Sequence, residues 1–303
     1  MYEFFSTIYT TSLPHLHIDS FQQNESGWDH IAIIINNALL FRFPREATIA
    51  KRIPLEKELC SLLAKSLHDI EIPNYHLFYT NESDTIPTCS YYTLIYGEPL
   101  TAQMIANLTI QEREQVITQI AQFLATLHTI SLEHATQLGF KIEKTITYWK
   151  QLQMKLNRYL SHTFIKCEKE AFDKLFHQFF TLFHRYDLQY TMIHADFTHH
   201  HILFDEKRKK VSGIIDFGDT QIRDPAFDFA GLYHDFGNVF TEDVYKKYCT
   251  LILHHDSSFM QRIISFYQHS PLLHQLLYNL ERKDEHAIHN GLKKLRTMLQ
   301  GLN

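Results

Sequence analysis

Either side of Gly97-Glu98-Pro99 the chain changes its hydrophobic period, and that change constrains the fold more than any single residue. Before it, the signal is short and strand-like. Ile31-Ala32-Ile33-Ile34-Ile35 is a β-branched run, Asn36-Asn37 supplies turn chemistry, and Ala38-Leu39-Leu40-Phe41-Arg42-Phe43 is a second apolar run. Together they predict a β-hairpin, stopped by Pro44. Leu55, Leu59, Leu62 and Leu63 fall at helical spacing and predict one helix over about 54–67, broken at Ile72-Pro73. His76–Tyr79 and Ser90–Tyr96 read as two further strands around the polar loop Asn81–Thr88. Beyond Pro99 the period becomes helical. Val116, Ile117, Ile120, Phe123, Leu124 and Leu127 share one face of a long helix from Thr109 to Ile130, a core-facing stripe. Ile146–Tyr159 and Lys169–His184 repeat that pattern, Met192–Phe204 and Val211–Asp216 read as short strands and loops, and about 225–300 is helical again. The expected class is α+β: a small β-rich N-terminal lobe over 1–96 and a larger helical C-terminal lobe over 97–303.

Composition narrows the function classes. With 45% hydrophobic and 21% charged residues, the chain has the material for a sizeable core and no signature of disorder. A net charge of -5 argues against a nucleic-acid partner, which would call for a basic domain or stripe. Lys207-Arg208-Lys209-Lys210 is expected to be the solvated turn of a hairpin between Leu203 and Ile214 rather than a basic patch. Cys60, Cys89, Cys167 and Cys249 are widely spaced, as expected of reduced thiols in the cytoplasm. No Lys or Arg precedes the apolar residues of Met1–Ser20, and no run approaches the roughly 18 uncharged apolar residues of a membrane span. The expectation is a cytoplasmic monomer with no membrane partner.

The chemistry is concentrated in three runs. His194-Ala195-Asp196-Phe197-Thr198-His199-His200-His201-Ile202-Leu203-Phe204-Asp205 comes first, then Gly213-Ile214-Ile215-Asp216-Phe217-Gly218-Asp219, then Asp224-Pro225-Ala226-Phe227-Asp228-Phe229-Ala230. Phosphoryl transfer requires a group that orients the acceptor hydroxyl, and metal ions that neutralise the triphosphate. A carboxylate on a tight loop, a donor ligand five residues on, and a second carboxylate after a buried strand meet those requirements. Asp196 is accordingly expected to be the catalytic base, His201 a metal ligand, and Asp216 the carboxylate bridging metal and nucleotide. A zinc tripod at His199-His200-His201 is not expected, because adjacent loop residues point in different directions.

This layout resembles the aminoglycoside phosphotransferase and choline kinase group, relatives of the protein kinases, whose signature is H-x-D-x-x-x-x-N followed by I-D-F/W. Within that group it is most similar to the 2''-aminoglycoside phosphotransferases. Those also carry His in place of the Asn and end the motif H-I-L-F-D, as His201–Asp205 do here. Ile214–Asp219 and Asp224–Phe229 resemble their I-I-D-F-G-D and D-P-x-x-D-F runs, Phe41-Arg42-Phe43-Pro44 their F-K-F-P, and Gly97–Thr101 their G-x-P-L-T. The motifs run in the family's order across about 200 residues. The resemblance implies a protein-kinase-like fold and transfer of the γ-phosphate of ATP or GTP, with Mg2+, to a hydroxyl of a cationic small molecule, an aminoglycoside above all. It also implies that His194 and Asp228 brace the catalytic loop. Glu58 would pair with the nucleotide-binding basic residue, with Glu56 as the competing choice because helix register alone does not separate them. Glu25-Ser26-Gly27-Trp28-Asp29 would cover the phosphates, and Tyr92, Thr93, Leu94 and Ile95 would form the hinge that reads the purine edge, with Ile215 also on the nucleotide. Asp219 and Asp235 would face the acceptor, and His199 and His200, at positions where those relatives carry polar or acidic residues, would face either the acceptor or solvent.

Three departures bear on function. The family's Lys is Arg42 here, and a planar fork does not replace an ammonium automatically. Gly27 stands alone where a glycine-rich turn is usual. The carboxylate-rich wall expected past Asp228 reads Tyr233-His234-Asp235-Phe236-Gly237-Asn238, with only Asp235 acidic. These leave two alternatives: a kinase for choline, ethanolamine, homoserine or a sugar, and a non-catalytic nucleotide-binding pseudokinase.

Overall fold

The computed structural model describes residues 17–25, 27–81, 83–142, 145–185, 189–253 and 256–301. Ser26 of the expected phosphate loop and most of the N-terminal segment read for a leader lie outside them. Among the described residues no helix is long and apolar enough to cross a membrane. The chain divides into two compact units, one of residues 1–126 with 199–220 and one of residues 127–198 with 221–303.

The first unit is built on an antiparallel sheet. Its strands are β1 (Phe21–Asn24), β2 (His30–Ile35), β3 (Leu39–Pro44), β4 (His76–Phe78) and β5 (Cys89–Thr93), in the order β1-β2-β3-β5-β4. The expected hairpin is β2 and β3. Asn36 and Asn37 turn it with φ of 53° and 50°, the left-handed pair that a tight hairpin turn requires. Ile33 pairs with Phe41 and Ile31 with Phe43. With side chains alternating along a strand, one face therefore gathers Ile33, Ile35, Phe41 and Phe43, which pack with Phe78 and Cys89. Burying each such side chain contributes roughly 1.5–3 kcal/mol. The same alternation sends His30, Arg42, Ser90 and Tyr92 to the opposite face.

Two helices follow β3, α1 (Ala47–Ala50) and α2 (Ile53–Ala64). In α2 the buried positions are Ile53, Glu56, Leu59, Cys60 and Leu63, a stripe at helical spacing that includes one carboxylate. Gly97-Glu98-Pro99, read from sequence as a connection, contains a short strand, β6 (Glu98–Pro99). It joins the hairpin β8 (Ile202–Asp205) and β9 (Lys210–Ile214), with Glu98 opposite Phe204. Gly97 is needed there. Its φ is 141°, and a Cβ would sit 2.4 Å from Ser212 Oγ. Glu206–Arg208 at the hairpin tip are exposed, as the basic run suggested.

The second unit is mainly helical. Its elements include α6 (Thr145–Leu160) and α7 (Lys166–Arg185), the strand pair β7 (Thr191–Ile193) and β10 (Gln221–Arg223), α8 (Ala226–Cys249) and α9 (Phe259–Ser265). α5 (Leu132–Leu138), α10 (Ser270–Arg282) and α11 (Glu285–Gln300) complete it, while α3 (Ala102–Ala106) and all but the last residues of α4 (Ile110–His128) belong to the first unit. Trp149 of α6 is fully buried among Phe179, Phe227, Phe266 and Tyr267, and Phe179 stacks on Phe266 at 3.8 Å. Asp224 just before α8 is buried and takes Arg262 Nε and Nη2, both at 2.8 Å, together with the Tyr267 hydroxyl at 2.7 Å. That network fixes where α8 begins. α8 is broken at Gly237, where φ is 79° and ψ 177°.

Candidate active site

In the first unit, the polar face of the sheet carries a buried charge cluster around Arg42. Arg42 Nη1 donates to Glu56 Oε2 at 2.9 Å and to the Tyr75 hydroxyl at 2.5 Å. Nη2 lies 3.3 Å from both His30 Nδ1 and Asp216 Oδ1. Arg42 and Glu56 are 6% and 3% exposed, a depth at which an unpaired charge would be expensive. Burial works against the guanidinium charge, but Tyr75, Glu56 and Asp216 more than offset it, so its pKa lies above the ordinary value. Tyr75 is held as the neutral phenol chiefly by burial, against the pull of Arg42. His30 is pushed down to about 3 by burial first and by the Arg42 charge second, so its ring is neutral and Nδ1 accepts.

Glu58, expected to be the partner of Arg42, is exposed on α2, and Glu56 makes the ion pair instead. The reason is helix register. Glu56 lies in the stripe with Ile53, Leu59, Cys60 and Leu63, and Glu58 projects away from it. Extending the apolar stripe back to Ile53 would have separated the two from sequence.

Asp216 has its carboxylate between Arg42 and His201, with Oδ2 3.5 Å from His201 Nε2. Its backbone is left-handed, with φ 66°, unusual for a residue other than glycine. His201 closes a single 3-10 turn, His199–His201, and its carbonyl accepts the Ile215 N–H at 3.0 Å, which pins it beside Asp216. The His199 and His200 rings lie 3.8 Å apart, and His200 and Asp219 are exposed. Of the expected hinge, Tyr92 is buried edge-on to Tyr75 at 5.1 Å and Thr93 ends β5. The Leu94 N–H is used within the sheet, donated to the Ala38 carbonyl at 2.7 Å. Ile95 is buried beside Gly213, where a Cβ would come 2.5 Å from Ile95 Cγ2. The exposed loop at Gly27 and Trp28 is tied back by Arg45, whose Nε donates to the Gly27 carbonyl at 3.0 Å and Nη2 to that of Glu25 at 2.5 Å.

In the second unit, β7 runs into His194-Ala195-Asp196. Asp228 takes the N–H of His194 on Oδ2 and that of Ala195 on Oδ1, each at 2.8 Å. Ala195 is left-handed, with φ 69°. The Asp228 side chain is fully buried, and its Oδ2 also lies 3.1 Å from His128 Nε2. A carboxylate can only accept, so Nε2 carries a ring hydrogen, and His128 Nδ1 lies 3.0 Å from the Tyr248 hydroxyl. Burial pushes the Tyr248 pKa up, which keeps its hydroxyl protonated. His194 is fully buried, and its ring lies 5.6 Å from that of Phe197. Asp196 is half-buried, and its carbonyl accepts the Thr198 N–H at 3.0 Å. Asp235 on α8 lies 2.9 Å from His234 Nδ1.

His30, Tyr75, His128 and Tyr248 were not anticipated. His30 was legible, because a period of two from Ile31 places it on the Arg42 side of the hairpin. Tyr75 and Tyr248 arrive from 33 and 120 residues away in sequence, and nothing local marks them.

Among the described residues, no group of three or more His, Cys, Asp or Glu side chains is placed to hold a metal ion. His201 and Asp216 form a pair, one imidazole and one carboxylate. Mg2+ is commonly held by one or two protein carboxylates, with phosphate oxygens and water completing its octahedron, so the carboxylate half of this pair suits it.

Comparison with known proteins places these features in context. A sequence profile of the phosphotransferase enzyme family (APH) matches residues 20–256. Among solved structures, the GDP and kanamycin complex of APH(2")-IIia is similar at a TM-score of 0.84 and 23% identity, covering 99% of each chain. The streptomycin-ATP-APH(2")-IIa ternary complex is similar at 0.74 and 20%, covering 97% of this chain and 95% of that one. The macrolide 2'-phosphotransferase MphH from Brachybacterium faecium is similar at 0.68 and 16%, covering 93% and 96%. At these identities the likeness is one of fold, and it bears out the expected α+β, protein-kinase-like class. With the profile spanning most of its length, the chain belongs to the phosphotransferase enzyme family.

Proposed function

We propose that the chain is a small-molecule kinase that transfers the γ-phosphate of ATP or GTP to a hydroxyl of an aminoglycoside. The observation that carries this is the buried Arg42–Glu56 pair reaching Asp216 Oδ1 at 3.3 Å, in a chain whose Asp196 follows a backbone turn held by Asp228. Nucleotide binding is assigned to residues 1–96, and catalysis and acceptor binding to 97–303. Arg42 would orient the α- and β-phosphates. Tyr92, Thr93, Leu94, Ile95 and Ile215 would surround the base, and the Gly27 loop would cover the phosphates. Asp216, with His201, would hold Mg2+, which when bound supplies charge neutralisation on the triphosphate. Asp196 would orient the acceptor hydroxyl and take its proton. As the acceptor oxygen bonds to the γ-phosphorus, the bond from that phosphorus to the β,γ-bridging oxygen breaks and the nucleoside diphosphate leaves. His199, His200, Asp219 and Asp235 would meet the acceptor.

Support for the donor comes from similar proteins, since APH(2")-IIia is known in complex with GDP and APH(2")-IIa with ATP. Support for the acceptor is of the same kind, kanamycin and streptomycin being their partners. One observation favours a second reading, a kinase for choline, ethanolamine, homoserine or a sugar. Asp235, the lone acidic residue of the expected substrate wall, already lies against His234 at 2.9 Å.

The test is a phosphotransfer panel with Mg2+, crossing ATP and GTP with aminoglycosides and those metabolite alcohols. The expected result is label on an aminoglycoside, reduced about 100-fold or more by Asp196→Asn. Label on a metabolite instead would establish the second reading. No turnover with any acceptor would leave a pseudokinase.

A further inference from the structure

The cluster around Arg42 is shaped for a guanidinium. Three acceptors come from three separate elements of the first unit: Glu56 Oε2 from α2, the Tyr75 hydroxyl from the segment ahead of β4, and His30 Nδ1 from β2. Asp216 Oδ1 is the fourth. They divide between the two terminal nitrogens, with Glu56 and Tyr75 on Nη1 and His30 and Asp216 on Nη2. A lysine carries a single nitrogen at the end of a shorter stem, and that nitrogen cannot occupy both positions. Tyr92 packs edge-on against Tyr75, with ring centroids 5.1 Å apart, and the Arg42 guanidinium carbon lies 5.5 Å from the Tyr75 ring centroid. The phenol thus offers the fork both an oxygen and a ring.

His30 adds a second observation. A guanidinium only donates, so Nδ1 facing Arg42 must be the acceptor and Nε2 must carry the ring hydrogen. His30 is 7% exposed, and Nε2 has no hydrogen-bond partner among the described residues. A buried N–H with nothing to donate to is costly, so the contact of Nδ1 with Arg42 is what holds the ring in place.

We propose that His30 and Tyr75 are positioning residues that make Arg42 an arginine-specific phosphate-orienting group, so that arginine is required at position 42 and lysine does not substitute for it. This rests on the nucleotide-dependent kinase reading given above. The exchange from the family's lysine is then an adaptation shared by three positions of this chain, in which Tyr75 and His30 fix the plane of the fork.

Four proteins test it: wild type, Arg42→Lys, Tyr75→Phe and the double variant, each titrated with GDP and ADP by calorimetry and unfolded thermally. Arg42→Lys is expected to weaken binding of the preferred nucleotide about tenfold or more, through loss of a forked donor. Tyr75→Phe should weaken it several-fold, and the double variant should bind no worse than Arg42→Lys alone, because a lysine does not use the cage. Lysine binding as tightly as arginine, or fully additive losses, would overturn the inference. If wild type binds neither nucleotide, the kinase reading fails on its own. The midpoints of the same four proteins then decide the cage: non-additive lowering supports it, and additive lowering overturns it.

Discussion

Ala195 is held in a left-handed conformation, φ 69°, by Asp228, whose Oδ1 takes its N–H at 2.8 Å. Such a backbone costs roughly 1–3 kcal/mol unless its surroundings fix it. Here the fixing group is itself fixed, because Oδ2 accepts from the His194 N–H and from His128 Nε2, and Tyr248 orients that imidazole. The turn that presents Asp196 therefore hangs on one buried carboxylate three donors deep.

Asp228→Asn retains the shape but offers one accepting oxygen and sets an NH2 against a donor. It should destabilise the protein by about 1–3 kcal/mol in urea unfolding. Amide exchange at His194 and Ala195 should accelerate by more than the global loss explains, since the turn itself is released. Protection of those two amides unchanged relative to the rest of the chain would contradict this account of the turn.

Glu56 and Glu58 make a matched pair of variants. Glu56→Gln leaves the buried Arg42 charge without its principal counterion, and breaking such a pair costs about 3–5 kcal/mol. Asp216 remains 3.3 Å away, which places the loss at the low end. Glu58 is exposed, so Glu58→Gln should fall within about 0.5 kcal/mol of wild type. Denaturant titration of the two side by side reads the register of α2 directly, and equal effects would be incompatible with it.

The contrast between these glutamates shows where sequence reading stops. Local pattern was sufficient for the β2–β3 hairpin, because Asn36-Asn37 accepts positive φ and the flanking β-branched residues leave few alternatives. It was sufficient for the long helices too, α4 being observed over Ile110–His128 where the stripe runs from Thr109 to Ile130. His201 and Asp216, expected from motif order to share a metal, lie 3.5 Å apart. What was not legible depends on contacts distant in sequence. Gly97–Pro99 carries no strand pattern of its own and becomes one by pairing with Phe204 and Leu203. Tyr75 meets Arg42 across the sheet, and Tyr248 meets His128 at the far end of α8. No periodicity encodes such meetings, since tertiary packing alone decides them.

Gly231 is a sharper test of packing beneath the turn that presents Asp196. A Cβ built on it would lie 2.1 Å from the Phe197 carbonyl oxygen, closer than any side chain tolerates, and the obstacle is backbone. Gly231→Ala normally favours a helix by about 0.5–1 kcal/mol. Here it should destabilise instead and displace the segment from Asp196 to Thr198, lowering turnover in the phosphotransfer assay. Gly237→Ala, whose Cβ meets nothing within 4 Å but whose φ is 79°, should cost stability through backbone strain without touching that turn.

The pH dependence of stability has a definite sign. His274 is pushed down to about 4, by burial first and by the nearby Arg223 charge second, and its Nε2 lies 2.7 Å from the Tyr148 hydroxyl. In the unfolded chain the same ring protonates near its ordinary value of about 6.5. Between those values the unfolded state binds a proton that the folded state refuses, so stability falls as pH is lowered through that window. His30, pushed down to about 3, and His269, also lowered by burial, act in the same direction. Each fully linked proton is worth up to about 1.4 kcal/mol per pH unit. His274→Gln keeps a hydrogen-bonding group and removes the titration. Urea unfolding at pH 7, 6, 5 and 4 should therefore give a shallower decline for the variant, with the two curves converging towards the acid end. Parallel curves would mean that His274 titrates alike folded and unfolded, and would place the acid sensitivity on other groups.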